Sequence, residues 1–568
     1  MRKVFDSNRS TYFDPAKAMV DKSVLAGVKV MFINMPLRED APPNCLPLGP
    51  ALLAARLRAN GSDPSILDLN AYRIKDDISS ARRLPGGRHM TSVEAKDAIL
   101  KHINRFGEPR VVALSGMITT LRWQMTVANI IRSILPDVFI ITGNGLATEL
   151  GDVLFDWIPE LDAIAQAEGD FSILKAVHDV VMIERGWYAI EPYYHGDING
   201  RQKYFYDGGR PQDLDELPFP AYELLEFDAN GFNVVESYLK NDIWGMATNN
   251  RSAGNVKMTR SINTVSSRGC PFNCAFCYRG ATGERKYSIR SPENLLREFQ
   301  EYHRRYRVDF IGLLDDNFMV SRERIMRMVP LFKLFVQATG IRWGTHGRLD
   351  EAADLKPDGN GGHFNSPLRV DAMAEAGCVY IGYGAESADK TTLQKMGKGG
   401  FILSNGFVNI GGHEFPRTMV EGIRNTKAAG IQANCTWIMG YPGETLDQLK
   451  TSVAFIKWQE ELYKAHGDAP SSVNRKFFVA TAYPGTEMFK HPIVRKRLGD
   501  NFGVCYDPDG NPICDENLKK YVLGLDDATK IMLDKNGDPL NFSAMPDEVF
   551  LRAKKFSDDN QIEKIMEI

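Results

Sequence analysis

The chain has 568 residues, room for roughly three or four domains at about 150 residues each. Apolar residues make up 43% and charged residues 25%, which excludes global disorder and collagen-like repeats. With Lys+Arg 69 against Asp+Glu 72 and a net charge of −3, it is not built to coat nucleic-acid phosphates. No apolar run approaches the length of a membrane span, about 18 residues, so no transmembrane segment is expected. The start, MRKVFDSNRSTYFDPAKAMVDKS, lacks the apolar core of a signal peptide, which predicts a cytoplasmic protein.

After an N-terminal extension (1–27), residues 28–190 alternate short apolar runs with helical stretches, the pattern of a parallel α/β domain. Strands are expected at 28–34 (VKVMFIN), 65–69, 110–115, 138–142 and 161–167, with helices at 47–60 and 120–135 and a long polar excursion from the second strand to about 105. Ligands of such sheets bind beyond the carboxyl ends of the strands, so the loops to watch are 34–49, 68–73, 115–120, 143–148 and 168–171. Residues 191–262 read as a connector. A second βα series fills 263–495, with strands at 263–267, 310–314, 342–346, 379–383, 433–439 and 476–482. Six such units fit a partial or full (β/α) barrel, whose chemistry sits at the C-terminal strand ends. The C-terminal extension (496–568) is charged and holds two hairpin-like turns, 507–510 and 534–537.

Eight cysteines in a long chain without a leader do not suggest a disulfide framework. Three of them, Cys270, Cys274 and Cys277, fall in RGCPFNCAFCY at C-x3-C-x2-C spacing, directly after the first strand of the second series. Three thiolates cannot complete a four-cysteine zinc site, and no His stands at zinc-finger spacing. A [4Fe–4S] cluster held by three cysteines leaves one iron open. Buried thiols, or a zinc site borrowing Cys378 or Cys435, is the alternative.

This loop resembles that of the radical S-adenosylmethionine (SAM) enzymes, C-x3-C-x-aromatic-C. The resemblance implies that Cys270, Cys274 and Cys277 hold the cluster and that Phe276 lies against the adenine of SAM. Reductive cleavage of SAM would give methionine and a 5′-deoxyadenosyl radical, with the hard chemistry belonging to the cofactor. It further assigns Glu386 and Ser387, at the end of YIGYGAES, to the amino or ribose groups of SAM, with helix capping the other reading of Ser387. Gly440, in the turn GYPGE, would lie near the adenine. Asp315, Asp316 and Asn317 either contact ligand or cap the next helix, and His346 and Arg348 end the strand after that.

In the first domain, Gly143-Asn-Gly145 is not a dinucleotide fingerprint, because position 148 is Thr and the segment follows the fourth strand. Pro47-Leu-Gly49, LSGMITT (114–120) and Glu168-Gly-Asp170 instead resemble the cobalamin-binding domain fused before the radical domain in one large subgroup. The resemblance assigns Ser115, Gly116, Met117, Thr119, Gly143, Glu168 and Gly169 to the corrin and its tail. The lower-ligand motif Asp-x-His-x-x-Gly is absent, and Asn70 stands where a ligand could be.

The implied fold is α/β: a doubly wound, cobalamin-binding-like Rossmann domain, a (β/α)6 partial TIM-type radical SAM barrel, and a small α+β extension. The implied cofactors are a [4Fe–4S] cluster, SAM and cobalamin. The expected activity is methylation of an unactivated carbon of a small-molecule substrate, with an external electron donor of flavodoxin or ferredoxin type. A porphyrin-cyclase-like cyclase or oxidase without net methyl transfer is the alternative. A non-catalytic iron–sulfur protein is a third reading, and a nucleic-acid partner lacks any basic, aromatic appendage. No catalytic acid or base is assigned.

Overall fold

The computed structural model describes residues 20–39, 43–186, 193–198, 200–241, 256–277, 286–356, 364–469, 472–525 and 530–568. Two compact units emerge. The first comprises 1–240, 281–288 and 514–526; the second comprises 241–280, 289–513 and 527–568.

The first unit is built on a seven-stranded sheet: β1 (Lys29–Asn34), β2 (Asp63–Asp68), β3 (Val111–Ser115), β4 (Phe139–Gly143), β5 (Ala163–Gln166), β6 (Tyr194–Ile198) and β7 (Arg201–Asp207), in the order β2-β1-β3-β4-β5-β7-β6. All pairs are parallel except β6 with β7. β1 and β3 are apolar on both faces because helices cover both, as parallel sheets require. The order 2-1-3-4-5 puts the topological switch point between β1 and β3. There Asn34 pairs in register with Ser115, and Ser115 with Gly143.

Two expectations are corrected here. The polar excursion contains a helix, Ser92–Phe106, started by a reciprocal Thr91–Glu94 capping box. The connector is not structureless: β6 and β7 extend the first sheet, and Val234–Leu239 is helical. Its strands are hard to see in sequence because the buried positions of β7 are Lys203, Tyr204 and Tyr206 rather than aliphatics, and β6 buries no residue. Lys203 is tolerated inside because its ammonium donates to the carbonyls of Pro159 and Leu161.

The second unit carries six parallel strands in sequential order: β8 (Ser261–Thr264), β9 (Phe310–Leu313), β10 (Arg342–Gly347), β11 (Cys378–Glu386), β12 (Gln432–Met439) and β13 (Phe477–Val479). Among the described residues β8 and β13 do not pair, so the sheet is an open, curled half-barrel. Helices between the strands include Pro292–Tyr306, Arg322–Thr339, Arg417–Ala428 and Leu446–Ala465. Trp343, Trp437, Tyr380 and Tyr383 fill the interior. The 496–568 extension is divided: 514–526 packs with the first unit and 527–568 with the second. In the second unit the Ser557 hydroxyl accepts the Phe477 N–H of β13 at 2.9 Å, so the helix Asp547–Asp558 covers the last strand. No described helix is long and apolar enough to cross a membrane.

Candidate active site

The cysteine loop is positioned by backbone contacts from two remote segments of its unit. Ala275 N–H donates to Met396 O, and Met488 N–H donates to Ala275 O, both at 2.8 Å. Gly397 presses against the same loop. A Cβ there would lie 2.7 Å from Asn273 O, and its φ of +66° is one that side chains rarely adopt, so a glycine is required. Cys270, Cys274 and Cys277 are in no disulfide among the described residues and are partly exposed. Burial pushes the Cys270 thiol up to about 11, with Cys274, Asp316 and Cys277 adding to it. The three sulfurs thus lie within electrostatic reach of one another, and a cation there would reverse the balance by holding them as thiolates. Among the described residues no trio of His, Cys, Asp or Glu closes to the spacing of one metal ion, whereas the thiolates of an iron–sulfur cluster each take a separate iron and stand farther apart. Cys378 and Cys435 are core thiols inside β11 and β12, buried within the sheet rather than on the cysteine loop.

Phe276 is partly exposed beside the cysteines. Glu386 ends β11 at a φ of +64°, a strained position for a non-glycine residue. Lys398 holds it there, donating to Glu386 Oε1 at 3.2 Å and to Gly384 O. Ser387 is fully buried; its Oγ accepts from Asp389 N–H at 3.1 Å and lies 3.2 Å from Ser452 Oγ. That ties the strand end to the helix Leu446–Ala465, while Asp389 caps the following helix. Gly440 follows β12 at φ +80°, and a Cβ there would strike the Phe550 ring at 2.7 Å. Its N–H donates to Glu444 Oε2 at 2.7 Å. Glu444 is buried, its Oε1 has no partner among the described residues, and burial pushes its carboxyl up to about 8.

Asp315 is a buried lock, accepting from the Ser266 N–H and from the Ser266 and Ser267 hydroxyls at 2.7–2.9 Å. Asn317 caps the short turn Phe318–Val320, whereas the longer helix Arg322–Thr339 is capped by Ser321. Asp316 is exposed and faces both Cys270 and His346 electrostatically. Burial pushes His346 down while Asp316 pulls it up. Arg348 follows β10 where the sequence places it, whereas Glu351 escaped sequence reading. Arg348 is clamped by Asp350 and lies over Phe272 of the cysteine loop. Glu351, which accepts from Asn317 Nδ2 at 3.1 Å, is pushed up to about 7 by burial and by Asp350.

In the first unit, the ends of β3 and β4 bring Ser115, Gly116, Met117 and Gly143 together. Met117 is 49% exposed for an apolar side chain, and Thr119 beside it is partly exposed. Gly116 leaves room for the Thr120 and Gln124 side chains, which a Cβ would overlap. Glu168 pairs with buried Arg210 at 3.0 Å, and Gly169 packs against Leu53 at a close helix crossing. Both therefore have structural partners already. Asn70 is buried, and its Oδ1 accepts Leu37 N–H at 3.0 Å, so it is folded into the β1–β2 end rather than offered outward.

Glu149, on the short helix Gly145–Leu150, was not legible in sequence. It is 5% exposed, burial alone pushes its carboxyl well above the usual range, and its Oε2 has no partner among the described residues. Gln124 Nε2 and Gln166 Oε1 are orphaned in the same way. Gln124 reaches Gly116, Gln166 donates to Ala147 O, and Glu149 lies by Gly145, so the three line the ground beneath these strand ends. Unsatisfied buried polar atoms are costly and call for a partner. A polar, amide-rich ligand tail fits that donor and acceptor set.

Residues 264–456 match the radical SAM superfamily. An uncharacterized methyltransferase of Pyrococcus horikoshii is 25% identical over 407 residues, covering 70% of this chain and 72% of that protein. The cytidylyl-2-hydroxyethylphosphonate methyltransferase of Streptomyces wedmorensis is 22% identical over 500 residues, 82% of each chain. Among solved structures, the radical SAM methyltransferase TsrM from Kitasatospora setae, with tryptophan substrate and a SAM analogue bound, superimposes with a TM-score of 0.58 at 13% identity, over 93% of this chain and 88% of TsrM. The cobalamin-dependent radical SAM enzyme OxsB, with aqua-cobalamin and SAM bound, gives 0.56 at 18% identity, over 76% of this chain and about half (52%) of OxsB.

Proposed function

We propose that this chain, which carries a radical SAM domain, is a cobalamin-dependent methyltransferase acting on an unactivated carbon of a small molecule. The observation that carries the reading is the C-x3-C-x2-C loop clasped at a strand end between Met396, Gly397 and Met488. When bound there, a three-cysteine [4Fe–4S] cluster supplies an open iron for SAM and the electron that cleaves it. Cys270, Cys274 and Cys277 are its ligands. Glu386, held by Lys398, offers a fixed carboxylate to the SAM amino group, Phe276 offers a face to the adenine, and Gly440 lets the purine approach the backbone. Ser387 positions Glu386 from behind.

The first unit binds cobalamin. Ser115, Gly116, Met117, Thr119 and Gly143 border the corrin, and Glu149, Gln124 and Gln166 satisfy amide groups of its tail. With Asn70 turned inward and no Asp-x-His-x-x-Gly motif, no side chain is nominated as a lower cobalt ligand. The relatives named as methyltransferases favour methyl transfer over the ring-closing alternative. An external flavodoxin or ferredoxin supplies the electron, and a reducing cytoplasmic setting suits eight cysteines that form no disulfide among the described residues.

Anaerobically purified protein, analysed for iron, sulfide and cobalt and incubated with deuterated-methyl SAM, tests the reading. The expected result is a filled cluster, bound corrin and a labelled product. Formation of 5′-deoxyadenosine without label in product restores the cyclase alternative, and a zinc-filled loop overturns both.

A further inference from the structure

Arg348 is a buried cation against the cysteine loop, and its position is over-determined. Its Nε and Nη2 donate to Asp350 Oδ1 and Oδ2 at 2.9 and 3.1 Å, a two-point grip, and its guanidinium carbon sits 3.9 Å from the centre of the Phe272 ring. Phe272 lies between Cys270 and Cys274, and Cys274 acts electrostatically on the guanidinium. The side chain is 8% exposed and that of Asp350 2%, so water screens neither charge well. Asp316, which also acts on Cys270, is solvent-exposed and correspondingly weak.

We infer that Arg348, oriented by Asp350, sets the reduction potential of the centre held by Cys270, Cys274 and Cys277, by presenting the positive end of a buried ion pair to it. Reduction adds one negative charge at the thiolate trio, the electron coming from an external low-potential flavin or iron–sulfur donor; no proton moves and no bond forms. The guanidinium favours that added charge, while Asp350, which grips the guanidinium, opposes it and keeps the centre reducing enough to cleave a sulfonium. Such a pair has two consequences of opposite sign. Removing the cation makes reduction harder, and removing the anion makes it easier. A role confined to packing the loop predicts no such opposition.

The inference rests on the cluster reading above. Redox titration of the anaerobically reconstituted full chain, followed by the electron paramagnetic resonance signal of the reduced centre, tests it. For Arg348→Gln the ratio of reduced to oxidised centre at a fixed potential is expected to fall about tenfold, ~59 mV for one electron. For Asp350→Asn it rises by a comparable factor, and Arg348→Lys, which keeps the charge without the fork, stays near the parent value. If Arg348→Gln does not load iron, the Arg348→Lys and Asp350→Asn pair carries the same decision. Unmoved potentials, or shifts of the same sign in Arg348→Gln and Asp350→Asn, overturn the inference. Absence of any reducible iron signal in the parent protein overturns the cluster reading instead.

Discussion

Glu444 gives the sharpest test of the barrel's construction. Its carboxyl locks the turn after β12 by accepting Gly440 N–H, yet burial raises it from 4.5 to about 8. An acid whose folded pKa is raised binds its proton more tightly folded than unfolded, so stability is complete below about 4.5 and is lost as pH rises toward 8. At ~1.4 kcal/mol per unit, the loss between pH 5 and pH 8 is about 3–4 kcal/mol. Glu444→Gln keeps an oxygen for Gly440 N–H and cannot ionise. Parent and variant are therefore expected to unfold at similar urea concentrations at pH 5, with the variant more stable by about 3–4 kcal/mol at pH 8. The measurement is urea unfolding of the second unit's tryptophans across pH 5–8. Equal pH slopes in the two proteins would refute the assignment of a buried, neutral carboxyl at the turn.

Further outcomes follow from the same contacts. Cys274→Ala is expected to abolish 5′-deoxyadenosine formation and most bound iron while leaving cobalamin uptake intact, read by chromatography, metal analysis and visible absorption; simultaneous loss of corrin points to misfolding. Gly397→Ala forces a Cβ to 2.7 Å from Asn273 O at a left-handed φ. It is expected to cost about 1–2 kcal/mol or more and to lower iron content per chain, whereas unchanged iron argues that the clasp is dispensable. Glu149→Gln removes a group that burial keeps neutral. The cofactor-free variant should gain stability over the parent as pH rises above the ordinary carboxyl range, and cobalamin titration should show weakened binding if the acid proton is donated to the ligand. A parent-like pH profile places Glu149 in contact with water.

The barrel was legible because each of its strands is a run buried on both faces, so β9, β10, β11 and β12 lie within one or two residues of expectation apart from the end of β11, which runs on to Glu386. β7 was hidden because tyrosines and a carbonyl-satisfied lysine occupy its buried positions, and β6 because none of its residues is buried. The helix Ser92–Phe106 was hidden by its polar surface, although its T-x-x-E start was present in the sequence. Site residues divide in the same way. The cysteines are visible because their spacing is local. The Lys398 grip on Glu386, the Arg348–Phe272 contact and the orphaned Glu149 depend on chain segments that meet only on folding, and no local pattern announces them. Conversely, Glu168, Gly169 and Ser387 look like ligand residues in sequence but have protein partners of their own.

The backbone clasp on Ala275 has a bearing on biogenesis. The segments that grip it, around Met396 and Met488, leave the ribosome well after the cysteines do, and each grip closes a long loop whose ordering entropy is met only once intervening strands have paired. The thiols are thus synthesised early and caged late. On the proposed cluster reading, iron delivery would follow a nearly finished barrel, and a truncated or stalled chain would present the three cysteines without this cradle.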